Sequence, residues 1–333
     1  MNKERNTYYD FLKGIAIMGV VAIHTMVFKY EPYTTGGVIL TVFRNLLGCC
    51  VPFFVAVSGY FLANKKLDTK NEYIGFLKNR LKTVYIPMLI WSLPWLGLSL
   101  IFKQTLLGAG YSIFMYFIGG LSIFYFIALI LELYLQLPVI QNIKVKGVII
   151  LSIISLIVTF GWSIIKYSDG IEIPLVAYCS FPTYIGFFAL GCYIGKNKIY
   201  PNLYLSIFIM VIGLILAVIE SYYWLEYNPK NNWLGLKASV QFLSFGVILL
   251  SFTKRFSSYY RSNKITRVIE KFGTQSMPIY MSHVLVIFTL NIIGYTSNFW
   301  IVKWGVSFIL DVIFIFSLKK IFPENYLAYI GIR

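Results

Sequence analysis

Residues 8–28 read YYDFLKGIAIMGVVAIHTMVF, and the interpretation of this stretch decides the fold. It is apolar almost throughout, yet it carries Asp10, Lys13 and His24. At about 100° per residue, the step from Lys13 to His24 closes roughly three helical turns, so both side chains project from one face about 16 Å apart along the axis. Asp10, three residues before Lys13, is placed to orient it and partly neutralise it. In a bilayer this helix would hold a cation near one water boundary and an imidazole deep inside, in line with it. Ionisable groups at membrane depth are costly and mark function by default. The plainer reading has Lys13 reaching the headgroups and His24 bonding a neighbouring helix.

Composition agrees with a membrane setting. Hydrophobic residues make up 58% of the chain and charged residues 13%, and the mean hydropathy is +0.73. That leaves too little polar surface for a soluble domain, so an all-α, polytopic membrane protein is expected, as a single domain over 1–333. A net charge of +16 would suggest nucleic acid in a soluble chain. Here it points to cytoplasmic loops and anionic membrane lipids instead, with no nucleic-acid partner. Cys49, Cys50, Cys179 and Cys192 sit in or beside apolar runs without metal-type spacing, so they read as small core residues and no metal site is expected. The first apolar run is broken by Asp10 and Lys13 and is followed by no small-x-small cleavage site, so it is expected to stay as the first span.

Apolar runs long enough to cross a bilayer recur near 8–28, 38–62, 84–102, 121–141, 147–166, 181–196, 202–224, 236–253, 275–295 and 299–320. This layout implies about ten transmembrane helices. The connection 103–120 is apolar enough to dip into the interface. With both termini cytoplasmic, most of the 29 Lys and Arg residues fall on the inside, among them Lys3, Arg5, Lys144, Lys146, Lys196, Lys198, Lys319, Lys320 and Arg333. The inside connections 63–83 (Lys65, Lys66, Lys70, Lys78, Arg80, Lys82) and 254–274 (Lys254, Arg255, Arg261, Lys264, Arg267, Lys271) are the richest. The outside set is sparse: Lys29, Lys103, Lys166, Lys230, Lys237 and Lys303. The two rich connections either fix topology against lipid headgroups or recognise a polyanionic cytosolic ligand.

The chain has two histidines, His24 and His283, and both fall inside expected spans. In SMPIYMSHVLV, Ser276, Tyr280 and His283 recur at i, i+4 and i+7 and share one helical face. That face could line a polar cavity or glue helices together. Ser58 and Gly59 in VPFFVAVSGYFL could line the same cavity or permit close helix packing. Arg44, Glu132 and Asp311 are further charges at depth, each in need of a partner or a wet cavity. Arg44 and Asp311 both fall in the outer half and could pair. There is no Gly-x-Ser-x-Gly elbow, zincin spacing, P-loop or dinucleotide-binding glycine pattern.

These segments resemble a known family. DFLKGIAIMGVVAIH is similar to the first helix of the acyltransferase type 3 family of bacterial integral-membrane O-acyltransferases, whose signature is a basic residue, ten residues, then histidine. VPFFVAVSGYFL resembles its second-helix segment, FFALGCYIG near 187–195 its glycine-containing sixth helix, and SMPIYMSHVLV its late Tyr-x-x-His helix. The resemblance runs in order across nearly the whole chain. One departure stands out: the signature's basic residue is most often Arg, and here it is Lys13, which keeps the charge but loses the bidentate fork. Some members carry an extracytoplasmic hydrolase-like domain, which is not expected within 1–333.

The resemblance implies O-acyl transfer, most often acetyl, from cytosolic acyl-CoA to a hydroxyl of a cell-envelope or capsular carbohydrate or a lipid-linked saccharide, in the bacterial cytoplasmic membrane. The residue chemistry fits. A thioester donor needs no metal and no tightly bound cofactor, only a base for the hydroxyl and charge stabilisation at the carbonyl. On this reading His24 is general base or acyl relay, Asp10 orients Lys13, and Lys13, Arg80 and Lys82 meet the phosphates of acyl-CoA. His283, Tyr280, Ser276, Ser58, Arg44 and Glu132 are candidates for the substrate pocket. The alternative is a proton-coupled secondary transporter or glycan exporter, although corresponding broken helices in two halves are not evident.

Overall fold

The computed structural model describes residues 6–26, 31–103, 105–168, 180–228, 237–295 and 299–332. Lys3, Arg5, Lys29, Cys179, Lys230 and Arg333, which figure in the expectations above, lie outside the described residues. Within them the chain is helical and forms no strand. The helices are α1 (Thr7–Thr25), α2 (Thr35–Leu47), α3 (Cys50–Leu62), α4 (Lys70–Arg80), α5 (Ile86–Phe102), α6 (Leu106–Phe117), α7 (Tyr125–Leu135) and α8 (Leu137–Ile140). They continue with α9 (Val145–Tyr167), α10 (Phe181–Asn197), α11 (Leu203–Tyr227), α12 (Ala238–Ser251) and α13 (Lys254–Tyr259). The chain then forms α14 (Lys264–Thr274), α15 (Ser276–Ile292), α16 (Trp300–Ile321) and α17 (Glu324–Tyr329).

Five helical stretches are long and apolar enough to cross a membrane on those grounds alone: Thr35–Leu62, Lys70–Phe102, Val145–Tyr167, Leu203–Tyr227 and Trp300–Ile321. The chain is a multi-pass membrane protein. Each expected apolar run overlaps helix among the described residues, although 38–62 is divided between α2 and α3 and 121–141 between α7 and α8, and two connections carry helices of their own. The expected interfacial dip at 103–120 holds the twelve-residue helix α6, packed on α5. The basic connection 63–83 is also largely helical, because Thr69 and Glu72 form a capping box that starts α4. From α4 the chain runs into α5 through a wider π turn at Leu81–Tyr85. Pro87 follows, without an N–H for the preceding turn, which accounts for the widening there.

α1 is the centre of the bundle. Tyr8, Tyr9, Asp10, Gly14, Ala16, Ile17, Gly19, Val20, Val21, Ala22 and Thr25 are all buried, and α2, α3, α14, α15 and α16 pack around it. By contrast α9 and α11 turn Ile150, Ile157, Phe160, Phe208, Ile215 and Ile219 outward, as lipid-facing helices do. Lipid tails are as apolar as leucine, so close packing rather than hydrophobic transfer must hold such helices together. Glycine contacts at two helix seams contribute to it. A Cβ on Gly273 of α14 would lie 1.7 Å from the Asp10 carbonyl oxygen, so α14 lies directly against the first turn of α1. A Cβ on Gly191 of α10 would lie 1.9 Å from the Ala56 oxygen of α3. Gly59 belongs to the same seam, its absent Cβ 2.3 Å from the Phe188 oxygen. The close-packing reading of Gly59 is therefore what the fold uses, and it turns Ser58 the other way.

Candidate active site

The site is built along the polar face of α1. At one end Lys13 Nζ lies 2.7 Å from Asp10 Oδ1, so the expected i, i+3 pair forms. Lys13 also stands 5.9 Å over the ring of Phe61. Two hollows meet at Lys13 and Phe61. The wider, about 810 Å³, is bordered by Asn6, Asn64, Lys198 and Tyr200. The narrower, about 280 Å³, runs between apolar walls and takes in Ser58, Arg80, Tyr134, Ser276 and Tyr280. Outside the spans, Tyr260 packs on Phe11 and Tyr8 at 5.2 and 5.6 Å and donates to Glu270. Burial, and then that hydrogen bond, push its phenol up to about 12.

The narrow hollow gathers candidates from four helices. Ser58 Oγ and Tyr134 Oη are hydrogen-bonded at 3.1 Å. The Arg80 guanidinium lies over the rings of Phe76 and Tyr134, at 5.1 and 5.3 Å, which holds its charge against the wall by cation–π attraction. Its Nε has no hydrogen-bond partner among the described residues. Tyr280 donates to the Ile123 carbonyl and so has its hydroxyl fixed. Lys82 is exposed and borders neither hollow.

At the other end the two histidines meet. The rings of His24 and His283 lie 5.2 Å apart, tilted by 51°. His283 is completely buried, and its Nδ1 is 2.7 Å from the Tyr280 oxygen and 3.2 Å from the Ile279 oxygen. Two carbonyls can only accept, so Nδ1 carries the proton and Nε2 holds the lone pair. That Nε2 has no partner among the described residues. His24 is exposed even though protein surrounds much of it. The pair thus offers one accessible imidazole beside one locked in a defined tautomer.

Other charges at depth serve different ends. Glu132 Oε2 accepts from the Phe181 N–H at 3.0 Å, satisfying the start of α10, and it borders neither hollow. Asp311 Oδ1 accepts from Ser282 Oγ at 2.5 Å, and its Oδ2 has no partner among the described residues. The pairing of Arg44 with Asp311 is not formed. Depth in the bilayer left it open, but Asp311 is turned toward α15, whereas Arg44 stands near Tyr167, Cys50 and Tyr125. Cys49, Cys50 and Cys192 are free thiols within or against the core, as expected.

Tyr134 and Phe61 were not legible as site residues. Both sit in apolar runs, LELYLQL and SGYFL, where an aromatic reads as packing. Only the convergence of α1, α3, α4 and α7 gives them polar or cationic neighbours.

A helical membrane bundle with an ion pair at one end of its central helix and two imidazoles in contact at the other defines a class, the integral-membrane proteins with paired ionisable groups among their helices. The acyltransferase domain family matches residues 6–319, nearly the whole chain, and the protein belongs to that acyltransferase type 3 family. It is a membrane acyltransferase. Comparison with curated proteins and with solved structures finds no match.

Proposed function

We propose that the protein transfers an acyl group, most simply acetyl, from cytosolic acyl-CoA to a hydroxyl of a cell-envelope or capsular carbohydrate. The observation that carries this reading is the meeting of His24 and His283 at 5.2 Å at the far end of the face that begins with Lys13. The wide hollow at Lys13 suits the nucleotide of the donor, with Lys13 and Lys198 near its phosphates. The narrow hollow suits pantetheine, a thin chain that would pass Phe61 and Tyr280 toward the histidines. His24 then takes the proton of the acceptor hydroxyl as its oxygen attacks the thioester carbonyl. The His283 Nε2 lone pair accepts a hydrogen bond from the imidazolium so formed. Collapse of the tetrahedral intermediate breaks the C–S bond, and the thiolate of CoA leaves with the proton. No metal or resident cofactor is needed for this sequence.

The same reading places ten spans in the bacterial cytoplasmic membrane with both termini inside. The Lys- and Arg-rich connections then face the cytosol and its anionic headgroups. Cysteine labelling tests the topology: Lys70→Cys and Arg261→Cys are expected to react from the cytosolic side and Lys103→Cys from outside. Mass spectrometry of envelope glycans from cells with and without the gene tests the reaction. An O-acyl group that disappears with the gene supports it, and an unchanged glycan profile counts against it.

A further inference from the structure

The connection between α12 and α15 carries a combination of groups that acyl transfer does not use. Residues 254–274 hold six bases, Lys254, Arg255, Arg261, Lys264, Arg267 and Lys271, against one acid, Glu270. All six bases are exposed. Glu270 is committed within the connection, where it accepts from Tyr260 and, at 2.8 Å, from Ser262. Charge alone would suit either a lipid surface or a polyanion in the cytosol.

The apolar residues beside these bases decide between the two. α14 turns Ile269 and Gly273 against α1: a Cβ on Gly14 would lie 2.1 Å from the Ile269 oxygen and 2.7 Å from its Cγ2, and one on Gly273 would lie 1.7 Å from the Asp10 oxygen. Its Phe272 ring packs on Phe308 of α16 at 5.0 Å. Ile265 and Val268 face away, 73% and 49% exposed. At about 100° per residue, Lys264, Arg267 and Lys271 follow on the adjoining flank. A helix with an outward apolar strip and a basic flank is suited to lie in the plane of a membrane surface. The short α13 repeats the pattern, with Phe256 and Tyr259 exposed beside Lys254 and Arg255.

α13 also forms one side of a groove. Leu203 and Ile207, in the first turns of the lipid-facing α11, meet Arg255, Phe256 and Tyr259 around a hollow of about 340 Å³. The Arg255 guanidinium brings the charge to an otherwise largely apolar lining, and it lies 5.9 Å from the centre of the Tyr259 ring. We propose that this groove is a site for an anionic phospholipid, its phosphate on Arg255 and one acyl chain along Leu203, Ile207 and Phe256, with α14 lying in the surrounding headgroup layer. A cytosolic polyanion would meet the charges but leave Ile265, Val268 and Phe256 in water, whereas a lipid surface covers both. The site bears on the central helix, because Tyr260, next in the chain after Tyr259, packs on Tyr8 and Phe11 of α1. The inference goes beyond acyl transfer and stands without it.

The test reconstitutes the full chain in liposomes of phosphatidylcholine and phosphatidylglycerol, re-extracts it in mild detergent, and counts the lipids that stay bound by mass spectrometry. Phosphatidylglycerol is expected to be enriched over the bulk membrane by about fivefold, the preference that one base near the surface gives. Arg255→Gln is expected to bring the retained ratio to the bulk value and Arg255→Lys to keep most of the enrichment. Lys146→Gln, outside the groove, is expected to change nothing. Phe256→Ser keeps every charge but removes apolar wall, and is expected to lower the retained phosphatidylglycerol as well. In nanodiscs, phosphatidylglycerol should raise the unfolding temperature of the wild-type protein and not that of Arg255→Gln. A retained pool of bulk composition in the wild type overturns the proposal. So does an equal loss in Lys146→Gln and Arg255→Gln, which would make the preference a matter of overall charge, or unchanged retention in Phe256→Ser, which would leave the groove no part. Polyphosphate that binds the protein in pure phosphatidylcholine nanodiscs through Arg255, without enrichment of phosphatidylglycerol, would give the surface to a cytosolic polyanion and overturn it too.

Discussion

The two ends of the first helix differ in degree: Lys13 itself is paired, with Arg80 Nε the unpartnered atom in its hollow, whereas several buried groups toward His24 lack partners among the described residues. Lys13 already holds Asp10 at 2.7 Å, stands over Phe61 and borders two hollows. His283 Nε2, Asp311 Oδ2 and Arg44 Nε lie toward the other end without partners among the described residues. A satisfied polar group costs little to keep and can exchange its partner for a ligand. Unsatisfied buried groups are expensive, and their presence marks the place where a reacting molecule completes the structure. On the proposed reading, this difference gives binding to one end and chemistry to the other.

Substitutions should separate the two. The largest effect is expected at His24: Ala or Gln there should slow acyl transfer by on the order of 10²–10⁴-fold, the usual contribution of a general base, with acyl-CoA still bound. Stopped-time assays at saturating donor would check it. His283→Ala is expected to slow the same step by about 10- to 100-fold, as loss of a hydrogen bond to a charged group would, again without weakening donor binding. A matching drop in donor affinity would instead make His283 part of the donor pocket.

Lys13→Ala should act the other way, weakening acyl-CoA affinity by about 1.5–3 kcal/mol while the rate at saturation falls less. Lys13→Arg should keep most of the binding, since the charge and reach are retained. Isothermal titration with acetyl-CoA would decide both.

The smallest effect concerns a helix start remote from the chemistry. Bonds from the Thr69 backbone and hydroxyl to Glu72 hold its carboxylate below the usual range. A depressed folded value means that the stabilisation is present above the unfolded value and is lost as pH falls through the folded one. Glu72→Gln should therefore cost little at neutral pH, and the difference from wild type should vanish in acid. Thermal unfolding across pH 3–7 would show it, and a difference that grows toward low pH would contradict the cap.

The helical class was legible because apolar runs and Lys/Arg loops are local properties of a chain. The Lys13–Asp10 pair was legible for the same reason, since three residues on one helix fix the geometry. The meeting of His24 with His283 was not, because sequence spacing says nothing about how α1 and α15 turn toward each other. Depth alone also left partners open: Glu132 accepts from the N–H of Phe181, and Asp311 faces Ser282 rather than Arg44. Rotation about a helix axis decides such partners, and composition does not record it.

One experiment bears on the division between binding and chemistry directly: single-turnover transfer and acetyl-CoA affinity measured side by side for wild type, His24→Gln and Lys13→Ala in the same nanodiscs. The account predicts that His24→Gln binds the donor as wild type does but leaves it unconsumed. It predicts that Lys13→Ala binds weakly and, once loaded, turns over at a rate much nearer wild type. A His24→Gln protein that transfers its acyl group at close to the wild-type rate would contradict it.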